Sequence, residues 1–438
     1  MSTQVFSVRH AAHYALSLVL NDGIPLDVVF TRAFDKHPLS ERRDRAFAQN
    51  LVRTTLRNLG HVKKIVDAKL HRPIPHKAKH AEVWLWLGAT QILFMDVPDH
   101  AAVDTSVEAI KNSKKEGRSF AGLTNAILRA ITREKQTHSS TIAKHPVNAL
   151  PGWLSKRWQV QFGSQGCEAI ARVLGSQPPL DLTVICEKTR IKLLELEGAI
   201  SVGPLNVRLI WKGPIEDIPG FSEGKWWVQD FAASLPVTLL NIDPEHKVLD
   251  LCAAPGGKTL QMAALGAKVI AVDKSSHRLE RLKENLKRTG FKAEIIAEDL
   301  TTWEPAGSFE RILLDAPCSG TGTIRRNPDI PWLKNETSIK ALAELQAMFL
   351  DRSFGWLING GILIYCVCSM EPEEGPEVIQ AFLKKTPTAT LSPIDMAVLP
   401  EAFRIAVSDR GTLMTTPALL AKDGGIDGFF IACLEKAV

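Results

Sequence analysis

Two different periods divide the chain. Between residues 6 and 135 the apolar positions recur every three to four residues. They include Val8, Ala11, Ala12, Ala15, Leu18 and Val19 of "VRHAAHYALSLVL", and the pattern returns in "AEVWLWLGATQILFM" and "GLTNAILRAIT". Such spacing predicts helices alone. The stretch "DHAAVDTSVEAIKNSKKEG" is expected to start on an Asp cap and to stop at Gly117, with its lysines in the last turn. The polar run "TREKQTHSSTIAKHP" then reads as a linker. Residues 146–240 are mixed: "PGWLSKRWQVQFG" and "CEAIARVLG" look helical, whereas "LDLTVIC", "VRLIW" and "KWWVQD" look like short strands. A small α+β subdomain is expected there, with Trp211, Trp226 and Trp227 as core or interface residues rather than stacking platforms.

From residue 247 the period changes again. Strand-like runs ("KVLDL", "AKVIAVD", "AEIIAED", "FERILLDAP", "GILIYCVC", "GFFIACLEK") alternate with amphipathic helices such as "SHRLERLKENLKRTG". This alternation predicts a parallel, doubly wound sheet with helices on both faces. The fold class is therefore multidomain: an all-α bundle over 1–140, a small α+β subdomain over 146–240, and a Rossmann-like α/β domain over 241–438.

Composition adds a partner. The chain of 438 residues has a formal charge of +5. Residues 1–145 hold 22 Lys/Arg and 13 Asp/Glu, and ten of the twelve histidines. A basic module beside a mildly acidic one fits a polyanion such as nucleic acid, or simply a solvated basic surface. No apolar run of about 18 residues suggests a membrane span, and the N-terminus lacks a continuous signal-peptide core. Seven scattered cysteines without a C-x-x-C pair argue against a disulfide framework or structural zinc, and point to a reducing cytoplasm.

In sheets of this kind ligands bind beyond the carboxyl ends of the strands, so the informative residues follow each strand. "DLCAAPGGKT" (250–259) offers Gly256 and Gly257 for a tight turn and free N–H groups at the next helix start. It is neither G-x-G-x-x-G nor a P-loop. Asp273 ends the second strand as an acceptor for ribose hydroxyls, which does not separate NAD from S-adenosylmethionine. Asp299 ends the third, either near an adenine amino group or as a loop cap. "LLDAPCSGTG" brings Asp315 and Cys318 together, and "LIYCVCSM" holds Cys366 and Cys368. With no histidine in a strand-end motif, thiol chemistry replaces imidazole general-base chemistry. The C-x-C pair can be a metal or redox pair, two fillers, or one nucleophile and one filler.

Together "DLCAAPGGKT", "DAPCSGTG", "RRNPDIPW" and "CSMEPEE" resemble the RNA cytosine-C5 methyltransferases of the Nol1/Nop2/Sun type, and "VDTSVEAIK" with "LTNAILRAI" resembles the NusB-like RNA-binding domain. The combination is similar to the bacterial Sun/Fmu (RsmB) family, which methylates 16S ribosomal RNA. The resemblance implies Cys368 as the nucleophile adding to cytosine C6, Cys318 assisting release of the product, and Asp315 on the cytosine N3/N4 edge. Lys258 is implied to lie close to the target base. It further implies S-adenosylmethionine held by Cys252, Ala253, Ala254, Pro255, Gly256, Gly257, Lys258, Asp273, Asp299 and Asp315, and phosphate contacts from Arg325 and Arg326. Val367 stands where the family has Thr, and Cys366 where it has a small residue. The expected partner is small-subunit ribosomal RNA, with no metal, no membrane and a monomeric chain. The same chemistry on tRNA, or a non-catalytic RNA-binding assembly factor, are the alternatives.

Overall fold

The computed structural model describes residues 2–112 and 118–438, with side chains from Val8 onward. The chain forms two compact units, one reaching Ser176 and including 326–335, the other comprising Gln177–Arg325 and Glu336–Val438.

The first unit is helical: α1 (Ser2–Asp22), α2 (Leu26–Lys36), α3 (Arg42–Asp67), α4 (Lys79–Phe94), α5 (Asp99–Lys111), α6 (Ala121–Arg133), α7 (Lys135–Lys144) and α8 (Gly152–Leu174). α4 is buried from Val83 to Ile92 without a polar face, as its all-round hydrophobic sequence demands. α3 turns a stripe of Leu51, Leu56, Leu59 and Val62 onto it. Pro98 rather than Asp99 precedes α5, and the expected end at Gly117 lies outside the described residues. The presumed linker is a helix instead. α7 buries nothing, but ion pairs Lys69–Glu134 (2.7 Å) and Lys135–Asp99 (3.0 Å) anchor its first turn. α8 breaks at Gly163, where φ is 70°.

Most of "RRNPDIPW" belongs to this helical unit. Asp329 accepts the N–H of Leu26 at 2.9 Å, at the open end of α2, where Pro25 has no side-chain acceptor. Trp332 donates to Leu56 O at 3.0 Å, and Trp153 donates to Pro331 O at 3.1 Å.

The second unit holds two sheets. Strands β1 (Leu180–Val184), β2 (Ile200–Gly203), β3 (Asn206–Leu209) and β4 (Trp226–Val228), with α9 (Glu187–Leu194), form an antiparallel sheet in the order β2-β3-β1-β4. One face is apolar, around Leu182, Val207 and Trp226. The other is polar yet buried. Arg208 grips Asp181 through two bonds (2.6 and 2.8 Å), and Asn206 donates to Thr183 at 3.0 Å. Trp226 and Trp227 are core residues. Residues 146–240 are thus divided: α8 lies in the helical unit, and the strands β1–β4 with α9 lie in the second.

The large sheet contains β5 (Lys247–Leu251), β6 (Lys268–Val272), β7 (Glu294–Ile296), β8 (Phe309–Asp315), β9 (Leu357–Val367), β10 (Ala389–Ser392), β11 (Leu413–Thr415) and β12 (Phe429–Lys436). Their order is β10-β12-β9-β8-β5-β6-β7, with β11 paired to β12. β5 to β9 are parallel; β12 runs antiparallel to β9, so the sheet is mixed rather than wholly parallel. Helices α10 (Phe231–Leu239), α11 (Gly257–Ala264) and α12 (Ser276–Thr289) cover one face, and α13 (Glu336–Gly355) and α14 (Pro376–Lys385) the other. No helix among the described residues is long and apolar enough to cross a membrane.

Candidate active site at the strand ends

The loop after β5 turns through backbone conformations that restrict which residues fit. Gly256 has φ of 102°, and a Cβ there would lie 2.3 Å from Leu282 Cδ1, so only glycine fits. Cys252 also has positive φ (61°), and the Ala254–Pro255 bond is cis. Ala253 N–H donates to Val272 O, and Ala254 N–H to Asp273 Oδ2 at 3.1 Å. Asp273 is 3% exposed, and its other oxygen accepts Ser275 N–H at 2.8 Å. Its carboxylate therefore shapes the loop as well as facing the strand ends. Asp299 accepts Thr301 N–H at 2.9 Å, the loop cap that its sequence position allowed.

Beneath this loop, Asp250 is fully buried. Thr259 donates to its Oδ2 at 2.5 Å, while Oδ1 has no hydrogen-bond partner among the described residues. Burial, aided by the charges of Asp315 and Asp273, pushes its pKa up to about 7. A carboxyl whose folded pKa exceeds its unfolded value lends stability that is complete below about pH 4 and is lost as pH rises to about 7. Asp250→Asn removes that loss. Relative to the wild type, it is expected to gain about 3 kcal/mol more at pH 8 than at pH 5 in denaturant titrations. An equal difference at both pH values would show that Asp250 does not titrate in this range.

The ends of β8 and β9 bring four groups together. Lys258 Nζ lies 2.8 Å from Asp315 Oδ2 and 4.9 Å from the centre of the Phe429 ring. Burial would strip the ammonium of its proton, but the charge and hydrogen bond of Asp315 oppose this and keep it cationic. Cys366 is fully buried in the core, and its S–H reaches Asp315 Oδ1 at 3.6 Å. β9 ends at Val367, so Cys368 is the first residue past the strand. It is partly exposed, and its Sγ lies 3.3 Å from that of Cys318. The two cysteines of "YCVC" thus have different partners. No cluster of three or more His, Cys, Asp or Glu side chains able to hold a metal occurs among the described residues. The Cys318 thiol is pushed well above its ordinary pKa, first by its hydrogen bond to Cys368, then by burial and by the charges of Glu374 and Asp315.

The backbones carrying the thiols are laced together. Ala316 N–H donates to Cys366 O, and Gly322 N–H to Cys368 O, both at 3.0 Å. Gly322 must be glycine, because a Cβ would sit 1.9 Å from Gly428 O. Glu374, fully buried, escaped the sequence reading. Its Oε1 accepts Ser319 N–H at 2.7 Å and Gln346 Nε2 at 3.0 Å, and its Oε2 accepts the hydroxyls of Ser319 and Ser369. The signal available in sequence was a Ser directly after each strand-end cysteine.

Of the residues expected at the site, 252–258 follow β5, Asp273 follows β6, Asp315 is the last residue of β8, and Cys318 and Cys368 follow β8 and β9. Arg325 does not fit its expected phosphate contact. It is 1% exposed, 2.5 Å from Asp230 and 3.5 Å from Asp427. Two buried carboxylates require a buried cation, and Arg325 supplies it. Arg326, by contrast, is exposed.

A sheet with parallel β5–β9, an antiparallel β12 and a glycine-bounded first loop defines a Rossmann-like methyltransferase domain. Residues 237–435 match the family described as 16S rRNA methyltransferase RsmB/F, and residues 7–133 match the NusB family. The ribosomal RNA small subunit methyltransferase B of Citrobacter koseri is 35% identical over 447 residues, spanning 98% of this chain and 99% of that protein. The crystal structure of PH0851 superposes with a TM-score of 0.76 at 25% identity over 100% of both chains. A methyltransferase homologue from Pyrococcus horikoshii gives 0.54 at 27% identity, over 64% of this chain and 93% of that one. The chain belongs to the RsmB/F family of 16S ribosomal RNA methyltransferases, with an N-terminal NusB-family region.

Proposed function

We propose that the chain transfers a methyl group from S-adenosylmethionine to C5 of one cytosine in 16S ribosomal RNA, in the cytoplasm. The observation that carries this reading is the pair of thiols, Cys318 and Cys368, 3.3 Å apart beside the Lys258–Asp315 pair. Cytosine C5 is a poor nucleophile. Addition of the Cys368 thiolate to C6 forms an S–C6 bond and moves the C5=C6 electron pair onto C5. C5 then takes the methyl group; the S–CH3 bond breaks and its electrons remain with departing S-adenosylhomocysteine. A base removes the C5 proton, C5=C6 re-forms, and the S–C6 bond breaks with its electron pair returning to Cys368.

Cys318, held as a thiol beside Cys368, assists this last stage. In this reading Asp315 meets the amino edge of the base; each of its oxygens retains a lone pair beyond those used by Lys258 and Cys366. The loop 252–258, with Asp273, suits the methyl donor, and Asp299 lies at the adenine end as well as capping its turn. A target base reaches such a pocket only unstacked. The basic helical unit, with Arg326 exposed, holds the RNA. Mapping 5-methylcytosine in total RNA from cells with and without the gene tests this reading. One 16S cytosine is expected to lose its methyl group; loss confined to tRNA, or no loss, would overturn it.

A further inference from the structure

Two loops carry the two thiols, and both report to one carboxylate. Ser319 follows Cys318 and Ser369 follows Cys368, and both hydroxyls donate to Glu374 Oε2. The Ser319 N–H and Gln346 Nε2 take Oε1. Gln346 also donates to Pro317 O at 2.9 Å, the residue before Cys318. Tyr365, on β9, donates to Glu374 O at 2.6 Å and so fixes the carboxylate's own backbone against the strand that delivers Cys368. A buried carboxylate is expensive to desolvate, yet here it accepts hydrogen bonds from four donors, which is how such a group is retained. Its two serine partners share one property, which is adjacency to a thiol.

We propose that Glu374 is a positioning residue that sets the separation and facing of Cys318 and Cys368 by binding the residue after each. It touches neither substrate nor methyl donor. This inference rests on the proposed cytosine chemistry for its consequence in turnover, but its geometric content is independent of it.

Glu374→Gln keeps the shape and loses the second accepting oxygen. In the full-length protein, turnover is expected to fall ten- to a hundredfold, with KM for RNA and for S-adenosylmethionine unchanged. The geometric readout is capture of the thiol pair by diamide. One thiolate adds to the N=N bond, the second displaces it, the S–S bond forms, and the diazene leaves reduced to the hydrazine. The wild type is expected to form the Cys318–Cys368 disulfide at least tenfold faster than Glu374→Gln. Should that variant fail to fold, Ser319→Ala and Ser369→Ala each remove one arm of the clamp and should slow the same capture. A folded Glu374→Gln, or both serine variants, with wild-type capture rates would overturn the inference. A general loss of affinity for both substrates, with capture unchanged, would reduce Glu374 to a structural role and overturn it as well. If the wild type makes no 5-methylcytosine, the proposed function fails, while the capture rates still decide the role of Glu374.

Discussion

Cys318→Ala is expected to accumulate a covalent protein–RNA adduct that survives denaturing electrophoresis, whereas Cys368→Ala should form none and lose turnover by about 10⁴-fold or more. The asymmetry follows from the surroundings of the two sulfurs. Cys318 is kept as a thiol by its hydrogen bond to Cys368, by burial and by the nearby carboxylates Glu374 and Asp315. A group held protonated is a poor attacker and a suitable partner for a departing thiolate. Both thiols are partly exposed, and Cys368 is the one that stands directly past the end of β9. Removing Cys318 leaves addition and methyl transfer intact but slows release, so the adduct persists. Removing Cys368 prevents the first bond. Adduct with Cys318→Ala alone supports the assignment; adduct with Cys368→Ala alone would make Cys318 the nucleophile.

The strand-end residues were legible because their position is set locally: a run of β-branched and aliphatic residues predicts a strand, and the chemistry follows where the strand stops. The strand-end positions of Cys368 and Asp273 needed no more than that, while the choice of Cys368 over Cys366 as nucleophile came from the family resemblance. Residues whose role depends on partners far along the chain were not legible. Glu374 sits in a run of acidic residues that reads as a solvated helix start, and its significance appears only when Ser319 and Ser369 arrive from two loops. Arg325 reads as a phosphate contact until Asp230, 95 residues earlier, is seen to bind it. The stretch 135–144 misled in the opposite direction. Its polarity suggested a linker, but polar residues also make a helix when ion pairs and a neighbouring helix fix its start. The direction of β12 was likewise invisible, since the apolar run "GFFIACLEK" is the same whether the strand enters parallel or antiparallel.

Arg325→Met is expected to destabilise the second unit by about 3–5 kcal/mol, the cost of leaving buried charges without their partner. The guanidinium binds Asp230 and Asp427 and donates to Gly424 O at 3.0 Å. Asp230 in turn caps α10 through Ala232 N–H (2.9 Å) and accepts Asp427 N–H. One cation therefore secures a helix start and the chain 424–427 together. The loss should appear as an earlier midpoint in urea at unchanged slope. The double variant Arg325→Met/Asp230→Asn should recover a measurable part of it, because one orphaned charge is gone. The effect reaches the reaction as well. Gly428, next to Asp427, donates to Gly322 O at 2.8 Å, and Gly322 donates to Cys368 O, so loosening 424–427 loosens the backbone behind the thiol. Turnover should fall while the dependence of RNA binding on salt stays that of the wild type. Arg326→Ala should show the reverse pattern, with stability retained and the salt slope reduced by about one unit. A folded Arg325→Met of normal stability with a shallower salt slope would return this arginine to the RNA.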